Sequence, residues 1–144
     1  MKLSTRARYG IRAILELAGN YKKGPLQIKT VAQRQDISVK YLEQLMTVLK
    51  SGGFITSIRG PKGGYILAKD PNRIKLSDVF NCLEGPVVTA ECLQNQTYCE
   101  RTADCVTRQV WAQVQQAIIS VLESITLQDL VDRTKKDKML YYQI

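Results

Sequence analysis

The chain has 144 residues, of which 44% are hydrophobic and 24% charged, with a net charge of +8 and no histidine. This length holds one domain, or one domain with an appended helical element, and excludes a large two-domain enzyme. The composition excludes a disordered or a collagen-like protein. The absence of histidine excludes Ser-His-Asp and Cys-His enzymes and every histidine-containing metal site. The sequence also lacks a phosphate-binding or dinucleotide-binding loop, so we do not expect an enzyme.

Three helices are predicted in the first third of the chain. Ser4 is expected to cap the first helix, in which small and apolar residues recur at the helical period until Gly19. A second, short helix is expected over 28–35, where apolar residues follow the same period. Ser38 is expected to cap the third helix, which ends at the glycine pair beginning with Gly52. Two short helices joined by a tight turn therefore follow a longer one.

A glycine-rich hairpin is predicted after these helices. Residues 54–58 and 65–67 are rich in β-branched and aromatic side chains, and the segment 59–64 between them contains three glycines. The order of helix, helix-turn-helix and hairpin is that of a winged helix-turn-helix DNA-binding domain, which we place at residues 1–75. The predicted fold class is mainly α with a small β-hairpin wing, followed by a long dimerisation helix.

The charge of the two halves favours double-stranded DNA as the partner of this domain. Residues 1–75 hold 15 Lys and Arg against 4 Asp and Glu, a net charge of +11, whereas residues 76–144 have a net charge of −3. A basic surface attracts the phosphates of nucleic acid. Because the positive charge is confined to one half, the other half is free to pair or to sense a signal. The alternative is a basic surface that only faces solvent.

The second half is predicted to begin with a connecting helix and a cysteine loop, residues 76–101. Ser77 is expected to cap the connecting helix, which ends near Gly85. A long helix over Thr102–Ile125 is expected next, because apolar residues recur three and four positions apart. Its length of about 36 Å exceeds what a domain this small can cover with its own core, so we expect its apolar face to meet a second copy in a homodimer.

The chain is expected to close with a short helix and a loose tail. Thr126 and Asp129 form the pattern of a capping box, which predicts a final helix over 127–133. Together with the long helix it makes a dimerisation region, residues 102–133, and the charged residues 134–144 are expected to be loose. The sequence contains neither a membrane span nor the apolar region of a signal peptide, so we expect a cytoplasmic protein with no membrane partner.

Candidate DNA-reading residues lie at the start of the third helix and at the tip of the wing. In a helix-turn-helix the first turns of the second helix enter the major groove, where their side chains contact bases and phosphates. Gln44 can pair with adenine, whereas Glu43 can accept from cytosine or pair with a nearby lysine instead. A basic wing tip can enter a minor groove or contact phosphates. The predicted contact residues are Ser38, Lys40, Tyr41, Glu43, Gln44, Arg59 and Lys62.

Three cysteines mark a second candidate site. Cys92, Cys99 and Cys105 are spaced seven and six residues apart, between two predicted helices. Clustered thiols in a cytoplasmic protein favour metal or redox chemistry over a structural disulfide. A zinc ion or an iron-sulfur cluster normally takes four protein ligands, so a fourth must come from Cys82, a carboxylate or another protomer. The alternative is a set of reduced thiols without metal.

Four segments carry a resemblance to a known family. They are Ser4-Thr5-Arg6-Ala7-Arg8-Tyr9, Tyr41-Leu42-Glu43-Gln44-Leu45, Arg59-Gly60-Pro61-Lys62-Gly63-Gly64-Tyr65 and the loop of three cysteines. Together they resemble the bacterial iron-sulfur cluster regulators, the IscR-type winged-helix repressors, to about residue 133. The resemblance implies a homodimer whose three loop cysteines hold a 2Fe-2S cluster, and DNA binding that changes with cluster occupancy. It also implies that Gln44 and Arg59 contact DNA and that Glu43 discriminates between classes of binding site.

Three positions depart from the pattern of that family. Close relatives carry a histidine three residues after the last cysteine, where this chain has Arg108, and a related nitric-oxide sensor takes an acidic ligand from its first helix, where this chain has Arg8. Lys40 replaces a small polar residue of the recognition helix, which predicts an altered operator. The candidates for the fourth cluster ligand are Asp104, Glu100, Glu91, Glu43 and Cys82.

The helix-turn-helix with its wing, the charge split and the thiol triplet predict a dimeric, DNA-binding transcription regulator. The resemblance further implies that it reports iron-sulfur status through a 2Fe-2S cluster and controls iron-sulfur cluster biogenesis genes. One alternative is a cluster-free repressor of the same superfamily that responds to thiol or cysteine status or to a partner protein. The other is a small metal-binding or electron-transfer protein whose basic half docks an acidic partner.

Overall fold

A computed structural model describes residues 2–143 of the chain, with side chains up to residue 140. Within this range it contains seven α-helices and one antiparallel hairpin. The elements are α1 (Thr5–Gly19), α2 (Ile28–Gln35), α3 (Val39–Ser51), β1 (Ile55–Ile58), β2 (Gly64–Leu67), α4 (Leu76–Glu84), α5 (Glu91–Gln94), α6 (Val106–Glu123) and α7 (Leu127–Gln143), with a 3₁₀ turn at Pro71–Arg73. None of the helices in the described range is both long enough and apolar enough to cross a membrane.

Local capping interactions begin α1 and α3 where the sequence predicts them. The Ser4 hydroxyl accepts a hydrogen bond from the Ala7 amide at 3.0 Å, and the Ser38 hydroxyl accepts one from the Tyr41 amide at 3.2 Å. Between α2 and α3, Asp36 adopts the left-handed conformation with φ at 53°, which a short polar residue tolerates. The predicted helix-turn-helix and its bounds are confirmed.

One apolar core holds α1 to α4, the hairpin and α7 together. On α3, the predicted inward stripe of Leu42, Leu45, Met46 and Leu49 is at most 2% exposed. Each buried side chain of this size contributes about 1.5–3 kcal/mol to the stability of the fold. The other elements contribute Ala13, Ile14 and Leu17 from α1, Val31 from α2, Ile55 and Leu67 from the hairpin, Val79 and Leu83 from α4, and Leu127 and Val131 from α7.

This core crosses the domain boundary predicted at residue 75. Apolar residues of α4 and α7 belong to the same buried cluster as those of the first three helices. The chain segments that precede these two helices are also joined by backbone hydrogen bonds. The Leu76 amide donates to the Ile125 carbonyl at 2.8 Å, and the Leu127 amide donates to the Ile74 carbonyl at 3.0 Å. The winged-helix body is therefore completed by residues from the far end of the chain.

The predicted cap at Ser77 is wrong. α4 begins at Leu76, with Lys75 in the cap position and no side-chain cap hydrogen bond. Ser77 lies in the first helical turn and is buried. The backbone pairing of Leu76 with Ile125 positions the start of α4, so the helix does not depend on a hydroxyl cap.

The last two helices differ in extent from the prediction. α6 is shorter at both ends than the predicted Thr102–Ile125 and spans about 27 Å. The capping box before α7 is confirmed, since the Thr126 amide donates to Asp129 Oδ2 at 2.9 Å and the Asp129 amide donates to Thr126 Oγ1 at 3.1 Å. The short final helix and the loose tail are wrong, because α7 continues to Gln143. Neither glycine nor proline interrupts this segment, and lysine, leucine and methionine sustain a helix.

Candidate nucleic-acid interface and cysteine loop

The outward face of α3 carries the predicted DNA-reading residues. Leu42 and Leu45 anchor the opposite face in the core, and the helical period directs the residues between them to solvent. Exposed on this face are Ser38, Lys40, Glu43 and Gln44, and beside them Tyr41 is half-buried. Amine, carboxylate, amide and phenol groups are thus presented on the first two turns of one helix.

Glu43 makes no ion pair with another side chain that the structure describes. The one ion pair among the described side chains joins Arg34 to Glu16 at 3.3 Å. The Lys50 ammonium donates instead to the Ser57 hydroxyl, at 2.9 Å. The interpretation in which Glu43 pairs with a neighbouring lysine is therefore wrong for this structure. A free carboxylate on this face is attracted by a base amino group and repelled by phosphates.

An aromatic pair joins the start of α1 to α3. The rings of Tyr9 and Tyr41 meet edge to face, with centroids 6.2 Å apart and an interplanar angle of 82°. The guanidinium carbon of Arg12 lies 5.1 Å from the centre of the Tyr9 ring, and that of Arg8 lies 5.7 Å from it. These cation–π contacts place two positive charges beside the recognition helix. Sequence reasoning did not assign Arg8, Tyr9 or Arg12 to the interface, and the spacing of Arg12 three residues after Tyr9 was the available signal.

The wing presents two cations on a closed turn. β1 and β2 pair over four residues each, and the Gly63 amide donates to the Gly60 carbonyl at 2.9 Å across the tip. A Cβ atom at Gly63 would lie 2.0 Å from the Ile58 carbonyl oxygen, so only glycine fits there. Arg59 and Lys62 are exposed on this turn.

The wing is fixed relative to the recognition helix at two points. At its base, the Leu26 amide donates to the Tyr65 carbonyl at 3.0 Å and the Tyr65 amide donates to the Leu26 carbonyl at 2.9 Å. These bonds tie β2 to the entry of α2. On the other side, the bond from Lys50 to Ser57 joins the end of α3 to β1. The wing and α3 therefore form one unit.

The three loop cysteines lie on consecutive pieces of chain before and at the start of α6. Cys92 is in α5, Cys99 is in the turn that follows, and Cys105 occupies the cap position of α6. The Thr102 hydroxyl donates to the Cys99 carbonyl at 2.7 Å, and Arg108 Nε donates to the Cys92 carbonyl at 3.3 Å. All three thiols are free. The second of these bonds fastens α5 to the first turn of α6.

In this arrangement the loop does not form a metal or cluster site. Among the described residues, no three Cys, Asp or Glu side chains gather closely enough to hold a metal ion. Arg108 stands where the resembled family has its fourth ligand, and a guanidinium has no lone pair to offer because it stays protonated. Three thiols are the donor chemistry of an iron-sulfur cluster, but their placement here does not fit one.

The candidates for a fourth ligand lie on different elements. Asp104, Glu100 and Glu91 are exposed in or beside the loop. Glu43 is on the outer face of α3. Cys82 packs against the other side of α3, where its Sγ lies 3.6 Å from the Val48 carbonyl oxygen that it donates to. Cys82 is thus a half-buried packing residue between α4 and α3.

Two cysteines differ in the acidity of their thiols. Burial raises the pKa of the Cys82 thiol above its ordinary value of 9.0, and the charge of Arg6 offsets part of this rise. The hydrogen bond with the Thr107 hydroxyl, at 3.2 Å, is the main cause that lowers the pKa of the Cys105 thiol. The backbone of Arg108 lowers it further. Cys105 therefore carries more thiolate than Cys82 at a given pH.

α6 exposes an apolar face that the other described elements leave uncovered. None of its residues is buried. The exposed large apolar residues are Val106, Val110, Trp111, Val114 and Val121. Beside them, α1, α4 and α6 enclose a groove of about 490 Å³, lined by apolar side chains that include Leu3, Phe80 and Ile118. The exposed apolar face and the groove lie on the same helix, which makes α6 a candidate interaction surface.

Known proteins similar to this chain cover most of its length. Residues 3–133 match the Rrf2 family model, which is described as an iron-dependent transcriptional regulator. The chain is 44% identical over 131 residues to the protein rrf2 of Nitratidesulfovibrio vulgaris, a match that covers 91% of this chain and 87% of that protein.

Two solved structures match the fold equally well. CymR, the global cysteine regulator of B. subtilis, superimposes with a TM-score of 0.80 at 38% identity, over 92% of this chain and 98% of CymR. IscR of T. potens superimposes with a TM-score of 0.80 at 38% identity, over 95% of this chain and 90% of that chain. The mainly helical fold with a winged hairpin is thereby confirmed. Similarity alone does not separate a cysteine regulator from an IscR-type protein.

Proposed function

The chain belongs to the Rrf2 family of transcriptional regulators, and from this membership we propose that it reads a specific DNA operator as a homodimer under the control of its cysteine loop. The prediction that it is not an enzyme is confirmed by its relatives, which are transcriptional regulators. The observation that carries the proposal is the exposed polar face of α3, held beside a wing with a basic tip. A regulator of bacterial promoters would act in the cytoplasm.

In the proposed complex, the N-terminal turns of α3 enter the major groove. Gln44 offers an amide to adenine and Glu43 accepts from a cytosine amino group, while Lys40 reaches guanine or a phosphate. Ser38 and Tyr41 donate to phosphates. The contact between the Tyr41 and Tyr9 rings holds α1 close to the DNA strand that carries these phosphates.

The cations around this face supply the part of the affinity that does not depend on sequence. Arg59 and Lys62 on the wing contact phosphates or a minor groove. Arg8 and Arg12 lie beside the Tyr9 ring on α1 and add positive charge at the edge of the interface. Each phosphate contact releases condensed counterions, so binding weakens as salt rises.

Selection of binding sites from random duplexes tests the DNA proposal. We expect the purified protein to enrich one inverted repeat, because a two-fold symmetric dimer reads two half-sites. Footprinting on that repeat should show protection, and the affinity should fall steeply between 50 and 200 mM salt. Failure to enrich any sequence would contradict sequence-specific binding.

The homodimer is proposed from the apolar face of α6. A soluble domain does not leave five large apolar residues of one helix exposed without a partner surface, and a second α6 offers the same chemistry. Pairing two copies through α6 would also place two winged-helix bodies on one duplex, as an inverted repeat requires.

The finer proposal is that Cys92, Cys99 and Cys105 hold a 2Fe-2S cluster and that the protein controls iron-sulfur cluster biogenesis genes. The supports are the three free thiols in one loop, the family description as iron-dependent and the similarity to T. potens IscR. Because the thiols do not converge in this structure, binding requires the loop to adopt a different arrangement. When bound, a cluster would supply an iron- and oxygen-sensitive crosslink within the loop.

A specific observation favours a second candidate, in which the loop senses thiol state without metal. The thiols are not gathered, and Arg108 occupies the expected ligand position and fastens Cys92 to α6. CymR, which is described as a global cysteine regulator, is as similar to this chain as IscR is. Both candidates use the same loop and the same DNA-binding body.

Anaerobic reconstitution separates the two candidates. With iron and sulfide, the cluster proposal expects visible absorption and about two iron atoms per protomer, lost together when Cys92, Cys99 or Cys105 is replaced by serine. Cys82→Ser is the control and should keep its iron. A colourless, iron-free protein whose operator affinity still changes with a thiol oxidant would support the metal-free candidate and contradict the cluster.

A further inference from the structure

A cationic cleft lies between α1, α2 and α7, away from the cysteine loop and sharing only Arg12 with the residues described at the DNA interface. Its volume is about 530 Å³, which is within the range of small-molecule sites. The basic side chains that line it are Arg12, Lys23, Arg34, Lys135 and Lys138, against the single acid Glu16. Basic side chains from three helices and from the turn after α1 therefore line the same cleft.

Part of this charge is used within the protein. Arg34 pairs with Glu16 at 3.3 Å, and the other oxygen of Glu16 accepts from the Gln35 amide at 2.5 Å. Arg12 donates to the carbonyl and the side-chain oxygen of Gln35, at 2.5 and 2.8 Å, and so satisfies the end of α2. Glu16, the one acidic side chain that lines the cleft, is therefore paired with Arg34 and Gln35. Arg12 is hydrogen-bonded only to the uncharged Gln35, so its positive charge is not neutralised.

Three lysines remain unexplained by these contacts. Among the described side chains, Lys23, Lys135 and Lys138 make no ion pair and no side-chain hydrogen bond. Like charges brought within a Debye length of one another raise the free energy of the folded state. An anion bound among them would lower it, so the arrangement is complementary to a ligand of high negative charge.

The two lysines of α7 belong to a part of the chain that the family model does not match. The match ends at residue 133, whereas α7 continues to Gln143. Buried Val131 fixes this helix against the core, and the helical period then aligns Lys135 and Lys138 on the same side, toward α1 and α2. The family match therefore covers the α1 and α2 side of the cleft but not Lys135 and Lys138.

The remaining lining indicates what kind of anion fits. The Asn20 amide donates one hydrogen to the Gly24 carbonyl and keeps a second, while Leu15 forms an apolar wall beside the lysines. Ammonium groups bind phosphate oxygens through short, charge-assisted hydrogen bonds, and the mixed walls suit the rest of a small organic molecule. A DNA duplex is too wide to enter a cleft of this volume.

We propose that this cleft binds a small polyphosphate anion of the nucleoside di- or triphosphate class as an effector separate from the cysteine loop. Arg34 and Gln35 end α2, and Ser38, the cap of α3, follows three residues later. A ligand held there contacts the helix-turn-helix directly, so its presence is transmitted to the recognition helix.

Calorimetric titration of the full chain tests the proposal, with sodium tripolyphosphate and ATP as probes at constant ionic strength. The test variant is Lys135→Gln/Lys138→Gln, and the matched control is Arg133→Gln/Lys136→Gln, which removes the same charge from α7 outside the cleft. We expect one saturable site per protomer, at least a roughly tenfold loss of affinity in the test variant and less than a roughly twofold loss in the control. Circular dichroism checks that both variants keep their helices.

Two outcomes would overturn the proposal. The first is the absence of saturable binding, or an equal loss in both variants, which would show only general attraction of anions to a basic helix. The second is seen by gel shift with operator DNA. If the test variant binds DNA more weakly than the control and neither probe binds, the lysines contact DNA phosphates and not a small ligand.

Discussion

The winged-helix body and the α6 region use their apolar residues in opposite ways. In the body, the stripe predicted on α3 is buried, as with Leu42 and Leu49, which are fully buried. α6 has an equally regular apolar period, yet none of its 18 residues is buried. The same apolar helical period therefore marks a core-facing helix in the body and, by our proposal, a dimer-forming helix in α6. The stability of the body is encoded within the chain, whereas we propose that a second copy completes the burial of the α6 region.

The largest effect is expected where the end of the chain enters the body. Leu127, at the start of α7, is fully buried, so Leu127→Ala should lower the free energy of unfolding by about 2–5 kcal/mol through lost contacts and a cavity. Met139→Ala, on the exposed end of the same helix, is the control and should change it by less than about 0.5 kcal/mol. Urea denaturation measures both. Equal, small effects would show that α7 is not part of the body.

The next effect tests whether α6 is an assembly surface. Val110→Asp/Val121→Asp places two carboxylates on its apolar face, and we expect dimer dissociation to become at least about a hundredfold more favourable, or about 2.7 kcal/mol. Gln109→Asp/Gln116→Asp adds the same charge on the polar face of the helix and should leave the dimer intact. Sedimentation velocity distinguishes the two. A monomeric wild-type protein, or identical behaviour of both variants, would refute the assignment.

Within the body, Gln44 should matter for DNA reading and not for folding. Gln44→Ala is expected to cost about 1–3 kcal/mol at one operator position and to relax discrimination there. Its free energy of unfolding should be unchanged, since the side chain is exposed. Lys62→Ala is the comparison, because loss of a phosphate contact should weaken binding to all sequences and reduce its salt dependence. An equal loss of affinity for all sequences in Gln44→Ala would mean that the Gln44 side chain contacts no base.

The sequence predicts the body well because its signals are local. Ser4 and Ser38 cap their helices, the glycines at the wing tip close the hairpin, and the inward stripe of α3 follows directly from periodicity. The predicted cap at Ser77 is wrong because the sequence pattern does not distinguish a serine in the first helical turn from a serine in the cap position before it. Pairing with the distant Ile125 decides where α4 begins, and no local pattern contains that contact.

The candidate sites show the same limit. The DNA-reading side chains of α3 follow from the position of one helix, but the contribution of Tyr9 and Arg12 depends on how α1 packs against it. Closeness in sequence places three cysteines in one loop without bringing their sulfur atoms to one point. The cleft beside α7 was missed because its lysines were assigned to a loose tail. A charged segment without glycine or proline is equally able to continue a helix.

A smaller effect is expected at the junction between the two regions. Thr126 caps α7 by accepting a hydrogen bond from the Asp129 amide, so Thr126→Ala should lower the free energy of unfolding by about 1 kcal/mol. Thr126→Ser keeps the hydroxyl and should recover most of the loss. Chemical denaturation of the two variants checks this, and an equal loss in both would assign the effect to the threonine methyl group instead of the cap.

The smallest effect is a dependence of stability on pH from the other half of the same box. Hydrogen bonds from the Thr126 amide and hydroxyl hold the pKa of Asp129 below its ordinary value of 3.8. Because the folded state favours the charged carboxylate, this contribution is present above that value and is lost as pH falls through the lower pKa of the folded protein. Wild type should therefore lose more stability than Asp129→Asn on acidification from about pH 5 to pH 2. Asp137→Asn, outside the box, should retain the wild-type slope. Parallel curves for wild type and Asp129→Asn would show that the capping carboxylate does not stabilise the entry of α7 into the body.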